Sequence, residues 1–172
     1  MHHTKTVKDI MIDVFDYPHI PYWFTVRQAM GIIKKAFIES DKCYHPLAVL
    51  VFDEKYNLMG TVTLKDILKG LEPKLIKPGL LTEYAGADIE QSLAAYEASM
   101  FDEEAKKQAE RQTNEIMTPA KTFVAPDDSV AKAAFLMINH NTSILPVLED
   151  RKKLVGIARM FDVYKEISHA IL

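Results

Sequence analysis

A single cysteine, Cys43, in 172 residues rules out an internal disulfide and favours a reducing, cytoplasmic compartment. No apolar stretch approaches the roughly 18 residues of a membrane span. The opening Met1-His2-His3-Thr4 lacks the apolar run of a signal peptide, so no membrane association is expected. Neither charge sign dominates: 21 basic residues face 24 acidic ones for a net charge of −3, which leaves no sign of the concentrated basic face that nucleic acid requires. There is no glycine-rich phosphate loop and no triad pattern. His19, His45, His140 and His169 are scattered without metal-ligand spacing, and Cys43 has no evident base to activate it. Nothing in the sequence therefore points to an enzyme, a metal site or a required cofactor.

The sequence does contain a repeat. Apolar residues make up 48% and charged residues 26%, as in ordinary soluble globular chains. Val7-Lys8-Asp9-Ile10-Met11 returns as Thr113-Asn114-Glu115-Ile116-Met117. Thr25 to Met30 is echoed by Ser129 to Ala134, and Leu47 to Asp53 by Ile144 to Asp150. Met59-Gly60-Thr61-Val62-Thr63-Leu64-Lys65-Asp66-Ile67 is echoed by Val155-Gly156-Ile157-Ala158-Arg159-Met160-Phe161-Asp162-Val163. Four landmarks in one order mark an internal duplication.

Each copy predicts strand, helix, strand, strand, helix. In the first, Val26, Ala29, Met30, Ile33 and Phe37 share a helical face, and Thr25 with Gln28 forms a capping-box pattern. In the second, Val130, Ala133, Ala134, Met137 and Ile138 do the same, with Asp128 or Ser129 as cap. Two apolar strands around a polar turn follow in each copy, at 48–63 and 145–158, then a final helix near Lys65–Leu71 and Met160–Ile171. A copy of about 60 residues is marginal for an independent core. The expectation is one α/β folding unit of the α+β type. Its tandem β-α-β-β-α repeats, 1–71 and 114–172, would pack by their sheets about a pseudo-two-fold axis.

This ordered set resembles the CBS-domain family. The likeness is carried by Asp9-Ile10-Met11 with Ile116-Met117-Thr118-Pro119, by the helix starts at Thr25 and Ser129, and by the Gly-x-x-x-x-x-Asp blocks ending in Asp66 and Asp162. The second copy is the nearer match; the first departs in its aromatic, proline-rich Asp16 to Trp23. The resemblance implies a CBS pair, or Bateman module, whose Thr63 contacts phosphate and whose Asp66 holds a ribose. The physical chemistry is compatible with that role. A helix N-terminus presents bare amides to an anion, and Thr63 and Asp66 also serve as ordinary capping residues. In the second block Asp162 keeps the ribose position, but Arg159 replaces the hydroxyl residue. Arg159 either grips phosphate with its guanidinium fork or fills the site by pairing with Asp162. Gly60 and Gly156 open the two blocks and, by the resemblance, belong to the ribose and phosphate sites. By the resemblance, Thr118, Thr122, Phe123, Ser143 and Ile144 wall the adenine of the Asp66 site. Pro18, His19, Pro46 and Leu47 wall the Asp162 site, where prolines supply no donors.

Residues 72–113 exceed the connector such a pair needs. Pro73, Pro78 and Gly79 break the chain, and Gly86 and Asp88 then open a helix with a thin stripe of Ile89, Leu93, Tyr96 and Met100. The charged stretch from Asp102 to Gln112, with Glu103–Lys107 attracting and Lys107–Arg111 repelling, reads as a helix that ends in water. The functional expectation is a regulatory module that senses AMP, ADP, ATP or S-adenosylmethionine. It would form a homodimer and, without an attached effector domain, signal to another protein. The alternative is a ligand-free interaction or dimerisation scaffold.

Overall fold

The structure, a computed structural model, describes residues 5–38, 48–72, 90, 93–94, 96–98 and 100–172. Cys43, His45, Pro46, Leu47 and the predicted helix start at Gly86–Ile89 lie outside them, as does the side chain of Phe37. The elements run β1 (Ile12–Asp13), β2 (His19–Pro21), α1 (Val26–Ile33), β3 (Ala48–Phe52), β4 (Leu58–Thr63) and α2 (Leu64–Leu71). They continue with α3 (Glu103–Gln108), β5 (Thr118–Pro119), α4 (Val130–Asn139), β6 (Ile144–Glu149), β7 (Lys153–Arg159) and α5 (Met160–Ile171). Two sheets form, one ordered β2-β3-β4-β5 and the other β1-β7-β6.

Strand alternation builds the layers. Val49 and Val51 face the first helical layer with Val26, Ala29, Ile33 and Ile67. Leu145 and Val147 face the second with Val130, Ala133 and Met137. The opposite faces meet at a seam of Tyr17, Ala48, Leu50, Phe52, Ile144 and Ile157. Strands buried on both faces read as continuous apolar runs, as Ala48–Phe52 does. The predicted capping box at Thr25–Gln28 is present, and Ser129 caps α4. Met30 and Ile138, expected on the buried stripes, are instead 40% and 74% exposed. Each helix packs on its sheet through a narrower strip than the full periodic face.

The opening segment of each sequence copy is built into the other copy. Val7 is fully buried in the second core, its amide donating to Asp128 O (2.8 Å), and β1 pairs antiparallel with β7. Thr113 is equally buried, its amide donates to Phe24 O (2.8 Å), and β5 pairs with β4. Gly60 and Gly156 make these crossings possible. A Cβ at Gly60 would lie 2.4 Å from Thr118 O, and one at Gly156 2.6 Å from Ile12 O.

The charged stretch before the second copy does not end in water. Ala105, Gln108 and Ala109 are buried, and Met100 packs on the first core. The amides of Val26 and Arg27 donate to Arg111 O (2.9 Å) and Ala109 O (2.8 Å), tying this stretch to α1. Alanines at i and i+4 give α3 a flat face that polar neighbours concealed in the sequence. Glu103 pairs with Lys106, not Lys107, and Arg111 pairs with Glu115 beyond the helix end, which removes the expected repulsion.

Candidate ligand-binding site

The hand-over from β4 to α2 sets the first site. Thr63 has extended backbone and caps α2, its Oγ1 accepting from the Asp66 amide at 3.2 Å. Asp66 answers by accepting the Thr63 amide and hydroxyl at Oδ2, both at 2.8 Å, and the Thr118 hydroxyl at Oδ1, at 3.0 Å. Three of about four acceptor positions on the carboxylate are thus taken. One remains on Oδ1, beside the Thr118 oxygen, so a vicinal diol would be received by Asp66 and Thr118 together rather than by Asp66 alone. The first two amides of α2 have no intrahelical acceptor.

These groups open onto a cleft of about 690 Å³ between the copies, a size suited to a mononucleotide. Its floor includes Thr61, Thr63, Asp66 and Thr118, and its far wall is Asn141 to Ile144. That wall is folded over by the end of α4. Asn141 takes φ 49°, and the amides of Asn141 and Thr142 return to Ile138 O and Met137 O, a helix stop that asparagine tolerates. Lys65, Lys69 and His140 add positive or protonatable groups to the rim. None of the three is among the residues that the resemblance assigns to the site. Lys65 and Lys69 follow the junction one turn apart, a signal that was available.

Of the expected adenine walls, Thr118, Ser143 and Ile144 line this cleft. Thr122 lies in an adjoining lobe that shares Thr61, Thr118 and Ile144 with it. Phe123 stands further along, in a lobe with Tyr56 and Lys152. Gly60 and Gly156 lie against the backbone of the strands that cross them.

At the second block the aspartate is already paired. Arg159 begins α5 without a side-chain cap. Its Nε and Nη2 instead donate to Oδ2 and Oδ1 of Asp162 at 2.5 and 2.8 Å, with side-chain exposures of only 8% and 16%. Of the two roles open to Arg159, pairing is the one observed. Tyr17 is 1% exposed and electrostatically coupled to both. Burial pushes its hydroxyl above the ordinary tyrosine pKa, with the Arg159 cation opposing and the Asp162 carboxylate reinforcing. His19, expected as a wall here, instead bonds Tyr17 O and the Tyr56 hydroxyl, both at 3.1 Å, near the β-turn end. Among the described residues no helix is long and apolar enough to cross a membrane, and no acidic, histidine or cysteine cluster has the make-up of a metal site.

Comparison with known proteins bears on this arrangement. Residues 114–169 match the CBS-domain family model. The magnesium transporter MgtE of Thermus thermophilus is 23% identical over 148 residues, 86% of this chain but only 24% of the transporter, so the chain spans about a quarter of that relative. Among solved structures, CBSX2 of Arabidopsis thaliana in complex with AMP superposes with a TM-score of 0.62 at 18% identity, covering 97% of this chain and 98% of that one. The CBS-domain pair of MJ0100, in complex with 5′-methylthioadenosine and S-adenosyl-L-methionine, gives 0.62 at 20% identity over the same shares. The chain folds as a CBS-domain pair, its second motif matched by the family model and its two interlocked motifs by the architecture.

Proposed function

We propose that this chain is a regulatory module that binds an adenosine-type ligand such as AMP, ADP, ATP or S-adenosylmethionine in the Asp66 cleft and relays its presence to a partner protein. The observation that carries this reading is the open cleft at the α2 N-terminus, where Asp66 Oδ1 and the Thr118 hydroxyl stand 3.0 Å apart beside the positive end of the helix. The AMP-bound and S-adenosyl-L-methionine-bound neighbours support the ligand class. A ligand held by Asp66 on one motif and Asn141–Ile144 on the other favours one relative arrangement of the two, by as much as its affinities for the alternatives differ.

Thermal unfolding with AMP, ADP, ATP, S-adenosylmethionine and NADH tests the proposal. A true ligand at a hundredfold excess over its Kd adds about 3 kcal/mol, a rise of roughly 5–10 °C in Tm. Asp66→Ala is expected to remove that rise while the protein stays folded. An unmoved Tm with every compound at millimolar concentration favours the ligand-free scaffold.

The partner surface includes a second copy of this chain. Helices α4 and α5 pack together and leave Phe135, Ile138 and Tyr164 exposed by 63%, 74% and 67%, apolar side chains that a second copy could cover. Ile138→Glu is expected to turn a dimer into a monomer in sedimentation velocity. A wild-type monomer at high micromolar concentration would contradict the assignment.

A further inference from the structure

The two strand-to-helix junctions share a backbone and differ in what they hold. Thr63 and Arg159 both occupy the N-cap in extended conformation, with φ, ψ of −95°, 169° and −108°, 148°, and both engage an aspartate three residues on. Thr63 leaves Asp66 an acceptor position facing a cleft. Arg159 takes one bond to each oxygen of Asp162 and is itself buried. A second difference lies on the facing segment. Ile20 and Val124 hold matching places beside β3 and β6, yet Ile20 follows Met11 by nine positions and Val124 follows Met117 by seven. The extra length forms the 3-10 turn Val14–Asp16, and Tyr17, directly after it, is buried beside the Arg159–Asp162 pair. Two unrelated features, a side chain from β7 and a longer connection from the first copy, converge on one place.

We propose that Arg159 is an internal occupant of the second cleft, so that each chain takes one nucleotide, at Asp66, and answers to it on one side only. This rests on the nucleotide reading of the Asp66 cleft. The guanidinium gives Asp162 the paired donors that a ribose diol would give, and the buried pair leaves that carboxylate no reason to exchange them for a dissolved ligand. Arg159 is thus the residue that sets binding stoichiometry. Arg159→Thr, which recreates the Thr63–Asp66 arrangement on the same backbone, converts the closed junction into an open one.

Isothermal titration of the full chain with AMP tests this. The wild type is expected to bind one AMP per chain, Asp66→Ala none, and Arg159→Thr two. Two sites in the wild type, or binding that survives in folded Asp66→Ala, overturns the inference and leaves the nucleotide reading standing. A folded Arg159→Thr that still binds one overturns the role given to Arg159. No binding to the wild type removes the nucleotide reading and the inference with it. Should Arg159→Thr fail to fold, the wild-type stoichiometry and the Asp66→Ala titration still decide between one site and two.

Discussion

Asp162→Ala is expected to lower folding stability by about 3–5 kcal/mol. The Arg159 side chain is only 8% exposed, so deleting its carboxylate strands a cation where water scarcely reaches. Arg159→Met is expected to cost a similar amount for the converse reason. Their combination, Arg159→Met with Asp162→Leu, should return to within about 2 kcal/mol of the wild type, because apolar groups of similar volume replace a buried pair without stranding either charge. Urea denaturation of the three variants checks the pattern, which requires strong non-additivity between the sites. Single substitutions costing under 1 kcal/mol would mean that the pair is solvated. Asp66→Ala is the control: its partners are an amide and two hydroxyls, so it should forfeit only about 1 kcal/mol of capping.

That contrast between two aspartates was partly legible before the fold was known. The landmark order of the duplication locates both junctions, and the Thr63–Asp66 spacing identifies a cap whatever else it does. Arg159 was visible as the odd residue, but the choice between phosphate grip and internal pair depends on burial, which a sequence of this kind does not encode at an N-cap. The exchange of opening segments was hidden for a different reason. Val7 and Thr113 repeat because their environments repeat, and repetition does not say which copy supplies the environment. Gly60 and Gly156 are legible as recurring glycines, but the strand crossing that requires them is apparent only once β5 and β1 are placed. The helical stripes locate the buried faces without fixing their width, so they place Met30 and Ile138 inward although both are exposed. In α3, alanines 105 and 109 carry too little hydrophobic signal to outweigh their charged neighbours, though two small residues one turn apart suffice to dock a helix closely.

Leu50→Ala is expected to cost about 2–5 kcal/mol, and to do so for both motifs at once. Leu50 is fully buried at the seam, where Tyr17 and Phe52 from the first sheet region meet Ile144 and Ile157 from the second. Removing its branched end leaves a cavity that neither sheet can close alone, since each is held by a strand belonging to the other copy. The same interlock makes a sharper claim about Leu145→Ala, which lies in the second helical core, away from the seam. The only tryptophan, Trp23, belongs to the first copy. If the motifs unfold as one unit, Leu145→Ala moves the urea midpoint reported by Trp23 fluorescence as far as the one reported by far-UV circular dichroism. A Trp23 transition that stays at its wild-type midpoint while the dichroism shifts would show two independently folding halves. A ligand bridging them could then no longer be described as choosing between arrangements of a single cooperative body.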